Sequence, residues 1–350
     1  MKRRKNMCTN ISIPSKSKDI PLVSARTMDW CETDPTTTST SLNFVPRQQS
    51  FPEMDLPDEI HWKNKYGFIG MGYKYKDFPI VYSDGLNEKG LSVAGLWLAC
   101  SIYPKPQMET PLLYNTNFIP FILGNFKNIE EVKSILSKIT IININELPQF
   151  ANVPSLLHYI VSDASGKHLI IEFENGKMKT YTTDLGVLTN QPTFDWQSTN
   201  FYLYKNLSLK DNPSLFCGEE ITGSGQLGIP GDPSPQSRFV RAAFLRQTIF
   251  QPKNTQQNIG LARQILQTLS VPIGTVILQN KDLPANSFDW TRWSVIRDHT
   301  NLSYYFYTDF NSNLYGIHMK KLNLNDSKQK QIDIHQPDWY EDVSTKLKSK

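Results

Sequence analysis

The sequence predicts an α+β fold built on antiparallel sheets, and three observations carry that expectation. Strand-like segments arrive in consecutive groups instead of alternating with helices. Their connections are short and rich in Gly, Asn and Asp. No GxGxxG or GxxxxGK[ST] loop is present, so a nucleotide-binding, doubly wound sheet has no support.

Taken in order, "CTNISI" (8–13) and "PLVSARTM" (21–28) read as the two strands of a hairpin around the polar turn "PSKSKD". Residues 31–60, with "DPTTTSTS" and four prolines, read as a long surface excursion, a length at which loops are commonly functional. Strand-like pieces follow at "YGFIGMGY" (66–73), "FPIVYSD" (78–84) and "GLSVAGLWLA" (90–99), the last two joined through "DGLNEKG". "NIEEVKSILSKI" (128–139) spaces Ile129, Val132 and Ile135 as one helix face, with Asn128 at the N-cap position. A second β region, "LLHYIVSD", "KHLIIEFE" and "KMKTYTTD", forms a meander through the turns "ASGK" and "NGK". Helices are expected over 237–250 and 255–271, and "LSYYFYTDF" and "NLYGIHM" complete the β content. No internal repeat is visible. The chain divides into an extension (1–7) expected to be absent from the working protein, a single domain over 8–325, and a polar tail over 326–350.

A hydrophobic content of 39% and a charged content of 20% over 350 residues describe an ordinary globular chain able to bury a core. The formal charge of +4 resides in Lys2, Arg3, Arg4 and Lys5. Without those four, 33 basic side chains stand against 33 acidic ones, which leaves no electrostatic footprint for nucleic acid. Cys8, Cys31, Cys100 and Cys217 are widely spaced with no CxxC, which argues against zinc or a disulfide framework and for reduced thiols. The basic start is followed by "CTNISIPSKSKDIPLV", interrupted by polar residues and prolines where a signal peptide needs an apolar run, so a cytoplasmic location is expected. No apolar run of membrane-spanning length is present. The six histidines show no HExxH or other metal-like spacing, and neither metal nor cofactor is expected.

Cys8 directly follows Met7. An N-terminal cysteine carries its own general base, because an α-amine titrates near ~7.7–8.0 and lies a few atoms from the thiol. The amine works only when Met7 is gone. Initiation at Met7 with methionine removal, or cleavage of a short propeptide, would each free it. A papain-like Cys–His pair stays open on spacing alone.

"MCTNISI", "SARTMDW", "DGLNEKGLSVAGL", "GVLTNQPTFDWQ" and "GIPGDPSPQSRFVRAAF" occur in the order and approximate spacing of the choloylglycine hydrolase family, and the chain resembles that family from Cys8 to roughly Leu322. The family contains bile salt hydrolases and penicillin V acylases, which are N-terminal-nucleophile hydrolases. The resemblance implies a four-layer αββα sandwich, no cofactor, a homotetramer to which 31–60 could contribute, and hydrolysis of a small N-acyl amide through a thioester. It makes Cys8 the nucleophile and places Arg26 by the sulfur, where a cation lowers a thiol pKa. Asp29 would hold the α-amine, Asn190 would donate to the oxyanion, and Arg238 would orient the group. Arg241, one turn further on, is an equal candidate by residue type, and only the motif separates the two. The backbone N–H of Trp97 would be the second oxyanion donor, where bile salt hydrolases tend to have Asn and Gram-positive penicillin V acylases Tyr. Trp97 with Trp30 looks like the Gram-negative penicillin V acylase branch, which is also associated with long-chain N-acyl homoserine lactones. Two tryptophans would suit phenoxyacetyl or fatty-acyl groups. Members of that branch usually carry a signal peptide, from which this chain departs. The alternatives are a conjugated bile salt hydrolase, and a non-catalytic binding protein should Cys8 stay blocked.

Overall fold

The computed structural model of the chain describes residues 7–14, 22–31, 38–75, 78–107, 110–151, 153, 155–216, 218–219, 222–279, 283–284 and 287–348. Two antiparallel sheets form its centre. The first runs β14 (Val187–Leu188), β1 (Met7–Ile13), β2 (Val23–Trp30), β15 (Trp290–Asp298), β16 (Ser303–Thr308), β17 (Tyr315–His318). The second runs β13 (Lys177–Thr183), β12 (His168–Glu174), β11 (Leu157–Ser162), β8 (Ser92–Trp97), β7 (Val81–Asn87), β6 (Phe68–Tyr75), β3 (Thr38–Val45), β18 (Lys330–Asp333). Two small pairs, β4 (Ser50–Phe51) with β5 (Trp62–Lys63) and β9 (Leu112–Tyr114) with β10 (Thr140–Ile142), lie outside them.

Strand alternation decides what each face meets. Ile11, Ile13, Val23 and Ala25 share a buried cluster with Phe239, Val240 and Ala243 of α4 (Pro235–Thr248) and Ile265 and Leu266 of α5 (Thr255–Leu269). On the far side, Val93, Tyr159, Val161 and Ile171 pack with α1 (Phe118–Asn125) and α2 (Ile129–Leu136). The layers are therefore helices, sheet, sheet, helices, the αββα sandwich expected. A short α3 (Phe194–Phe201) puts Phe194 and Phe201 into the core under α4.

The remaining face of β1 and β2 looks into the second sheet, and it is polar. Ser12 Oγ lies 3.2 Å from His168 Nε2, and Arg26 Nη1 donates to Ser83 O at 2.5 Å. Asn10 accepts from Arg297, and Tyr304 donates to Asp84. Buried polar groups are costly unless paired, so this layer fixes how the sheets stack.

Several sequence expectations hold closely. Asn128 caps α2, its Oδ1 accepting from Glu131 N at 2.9 Å. The "NGK" turn has Asn175 at φ 52° and Gly176 at φ 74°, the positive pair a primed hairpin turn requires. Others need correction. Within the 31–60 segment, expected as a surface excursion, β3 lies inside the second sheet and Leu42 and Phe44 are buried between the sheets, while residues 32–37 lie outside the described residues. The Ser/Thr-rich composition of β3 masked a period-2 pattern. Strand β15, unforeseen, pairs on both sides, and its Arg297 and Asp298 are buried with partners instead of marking a loop. The segment expected as a tail supplies the edge strand β18, after which Ile334 is 2% exposed. Helix α1 also went unforeseen, because seven of its eight residues are buried and no polar face reveals a period. Residues 1–6, the β1–β2 turn from residue 15 to residue 21, and Cys217 lie outside the described residues. No described helix is long and apolar enough to cross a membrane.

Candidate active site

The register of the hairpin places Cys8 directly opposite Met28 and Met7 opposite Asp29. Cys8 and Arg26 therefore share the inter-sheet face, while Asp29 projects from the opposite face beside the Cys8 main chain. Cys8 Sγ accepts from Arg26 Nη2 at 3.4 Å and lies 3.6 Å from Met28 Sδ. Arg26 is held by Ser83 O, by Asp84 at 3.8 Å and by the Trp293 ring at 5.4 Å. Asp84 also faces Arg297 at 3.7 Å.

Strand β14 pairs with β1 through Asn10↔Leu188, so Asn190, two residues on, comes level with Cys8. Its Oδ1 accepts from Cys8 N at 2.7 Å and from Arg238 Nη2 at 2.8 Å, and its Nδ2 donates to Trp97 O at 2.8 Å. These contacts set the amide orientation and leave one Nδ2–H for a ligand.

Arg238 lies in the first turn of α4, which Ser234 caps by accepting from Ser237 N at 3.4 Å. Arg238 donates to Cys8 O at 2.6 Å, to the Thr9 hydroxyl and to Pro233 O at 2.8 Å, and its Nη1 lies 3.9 Å from Asp29. Arg241 turns away to Thr268 O at 3.0 Å and Pro230 O at 2.5 Å. Asp29 accepts from Thr291 Oγ1 at 2.6 Å. The structure thus brings Cys8, Arg26, Asp29, Asn190 and Arg238 into one buried cluster.

Trp97 ends β8. Leu98 N donates to Leu156 O at 2.8 Å, and Trp97 faces Leu157. In an antiparallel ladder the hydrogen-bonded pairs alternate, so the N–H and C=O of Trp97 point away from β11, to the side where Asn190 binds the C=O. That edge carries both a free Asn190 N–H and the Trp97 N–H. The Trp97 side chain is buried, shares the strand parity of Val93 on the helical side, and its Nε1 has no partner among the described residues. Trp30 is half-buried at the end of β2, opposite Trp290.

Burial pushes the Cys8 thiol up, against the lowering effect of Arg26, and Asp29 adds to the rise. The cation expected by the sulfur is present, yet desolvation outweighs it, so the thiol needs a base. Burial also raises Asp29, opposed by Arg238 and by its hydroxyl donors. Sequence reasoning missed Asp289, which is 1% exposed just before β15 and is pushed up to about 8 by burial and by Asp29. No sequence signal marks it. Three guanidiniums (Arg26, Arg238, Arg297) face Asp29 and Asp84, and Asp232 also acts on Arg238. With Met7 attached, Cys8 N is an amide and accepts no proton. Among the described residues, no group of three His, Cys, Asp or Glu side chains is arranged to hold a metal ion.

A family model described as linear amide C–N hydrolases, choloylglycine hydrolase family, matches residues 8–333. The chain is 32% identical over 335 residues to the bile salt hydrolase/transferase of Clostridium perfringens, covering 93% of this chain and 96% of that one. It is 28% identical over 334 residues to the penicillin V acylase of Pectobacterium atrosepticum, covering 91% and 82%. Among solved structures, a variant of conjugated bile acid hydrolase from Clostridium perfringens matches with a TM-score of 0.79 at 29% identity, covering 94% of this chain and 97% of that chain.

Proposed function

The chain belongs to the choloylglycine hydrolase family of linear amide C–N hydrolases, and from that premise we propose that Cys8, once its α-amine is free, cleaves the amide of a small N-acyl substrate through a thioester. The α-amine takes the Sγ proton and the thiolate attacks the acyl carbonyl. The oxyanion receives the Asn190 Nδ2–H and the Trp97 N–H. Collapse expels the amine, which takes its proton from the α-ammonium. Water, deprotonated by the α-amine, then opens the thioester and restores the thiol. Arg26 offsets charge on sulfur, and Asp29 and Arg238 hold the nitrogen and carbonyl of Cys8.

One observation carries this reading: a single Asn190 amide links the Cys8 nitrogen to the edge of β8 that presents the second donor. For the acyl group we favour a phenoxyacetyl or fatty-acyl chain, as in penicillin V or an N-acyl homoserine lactone, on the strength of Trp30, which shares the strand parity of Arg26 and Met28; the Trp97 side chain, expected beside it, turns to the helical side and contributes its backbone alone. A conjugated bile salt is the second reading, favoured by 32% identity to a bile salt hydrolase/transferase against 28% to a penicillin V acylase.

Intact mass of the purified protein should show Cys8 as the first residue. A chain that retains Met7 and still turns over would exclude the amine as base, and one that retains Met7 and is inert would favour a binding role. Hydrolysis rates for penicillin V, an N-acyl homoserine lactone and glycocholate then rank the acyl groups. Cys8→Ala should abolish turnover with an unchanged circular dichroism spectrum, and substantial residual activity would refute the assignment.

A further inference from the structure

His158 and Glu172 interrupt two apolar strands, "LHYIVS" and "HLIIEFE". The register of β11 with β12 pairs Tyr159 with Ile171, so His158 and Glu172 stand directly opposite one another. They share the parity of Ile160 and Ile170, which face the first sheet, and both side chains are fully buried. His158 Nδ1 lies 2.7 Å from Glu172 Oε1, and His158 Nε2 lies 2.9 Å from Thr189 O. A carbonyl oxygen only accepts, so Nε2 carries a hydrogen, and a further proton lies between Nδ1 and the carboxyl. Both oxygens of Glu172 accept from Phe194 N, at 3.1 and 3.0 Å. Thr189 and Phe194 bracket the segment that carries Asn190.

We propose that His158 and Glu172 are positioning residues that clamp the oxyanion donor Asn190 from behind. The clamp holds the chain immediately before Asn190 and again at the start of α3. It is anchored on β11, whose Leu157 pairs with Trp97, so Asn190 is referenced to the strand that carries the second N–H. Two donors on separate elements act together only when held within about 0.5 Å of the productive geometry. A buried ion pair contributes little net stability, which leaves geometry as the gain. The kinetic part of this inference rests on the amide-hydrolase reading; the structural part does not.

The test compares full-length variants. Glu172→Gln keeps all three bonds, because its amide donates to Nδ1 of a neutral imidazole and its carbonyl accepts from Phe194 N. Its kcat should stay within about threefold of wild type. Glu172→Ala should lower kcat about 10–100-fold with KM changed less than about threefold, because a misplaced donor acts on the transition state. Alkylation of the Cys8 peptide by iodoacetamide, followed by mass spectrometry, should proceed at the wild-type rate. Deuterium uptake over residues 189–194 should rise in Glu172→Ala and not in Glu172→Gln. The paired change His158→Leu with Glu172→Met leaves no lone buried charge, so it carries the decision if Glu172→Ala does not fold, and it should lose kcat as Glu172→Ala does. Unchanged exchange over 189–194 in Glu172→Ala, or a Glu172→Gln enzyme as slow as Glu172→Ala, overturns the clamp. A wild type inert toward every amide sinks the hydrolase reading, and the exchange comparison then decides the clamp by itself.

Discussion

At Asn190 one side-chain amide makes contacts with three elements: Cys8 on β1, Arg238 on α4 and Trp97 on β8. Removing it has two separable consequences. Asn190→Ala deletes an oxyanion donor and leaves Arg238 Nη2 and Cys8 N without their acceptor. Loss of the donor should lower kcat by ~10²–10³, and the unsatisfied groups should cost about 1–3 kcal/mol of stability. Asn190→Asp retains acceptors for both but no donor and sets an oxygen against Trp97 O, so it should lose kcat similarly at a stability cost of its own. Paired kcat and urea-midpoint measurements read the two consequences, and a wild-type kcat in Asn190→Asp would contradict the donor role. These residues were legible in the sequence because each sits in a contiguous motif: Cys8 after Met7, Arg26 and Asp29 in "SARTMDW", Asn190 in "GVLTNQP" and Arg238 in "QSRFVRAAF". Asp84, His158, Glu172 and Asp289 were not legible as site residues. Their roles arise only where strands far apart in sequence meet, and as residue types they resemble any turn aspartate or strand histidine. Arg238 and Arg241 show the limit well, since α4 directs identical side chains to Cys8 and to Thr268 respectively.

At the scale of elements, amphipathic helices and turn-flanked strands were readable and fully buried or polar strands were not. Helix α5 shows a clear face, whereas β3 has Ser and Thr where strand signals are weakest and β15 has buried charges that mimic a loop. The C-terminal segment makes the same point with a testable consequence. Its strand β18 covers the edge of β3 through Lys330↔Phe44 to Asp333↔Ser41, and Ile334 is buried immediately beyond. Ile334→Ala should therefore cost about 2–5 kcal/mol, the range for an aliphatic side chain removed from a core. Truncation after Asn325 should cost at least as much and expose a sheet edge to intermolecular pairing, visible as concentration-dependent aggregation. A truncated chain with the wild-type urea midpoint would show that β18 adds nothing to the sheet.

For the whole molecule, buried titratable groups set opposite slopes of stability against pH. Burial lowers His168 to about 3 and His299 to about 4, so between those values and 6.5 the unfolded chain holds protons that the native one lacks. Their contribution rises with pH through that window and is complete above 6.5. Asp289 and Glu59 act the other way. Burial raises Asp289 from 3.8 to about 8 and Glu59 from 4.5 to about 7, so the native chain keeps protons that the unfolded one has lost. Their contribution is full below the ordinary carboxyl values and is lost as pH rises through the folded ones. From 4.5 to 6.5 the two histidines and the two carboxyls offset each other, and above 6.5 only the carboxyls remain. Urea midpoints should accordingly be level across about pH 4.5–6.5 and fall toward about pH 8, where the Asp289 contribution ends. In Asp289→Asn that fall should shrink, its advantage over wild type widening from about pH 4 to about pH 8 and staying constant beyond. A wild type most stable at about pH 8.5 would reverse the sign assigned to Asp289. The same axis bears on turnover, because an α-amine titrating near ~7.7–8.0 gains base strength over the interval in which the fold loses stability. Turnover per folded molecule should therefore climb through that interval, and turnover per total protein should hold to higher pH in Asp289→Asn, which keeps more of the chain folded there.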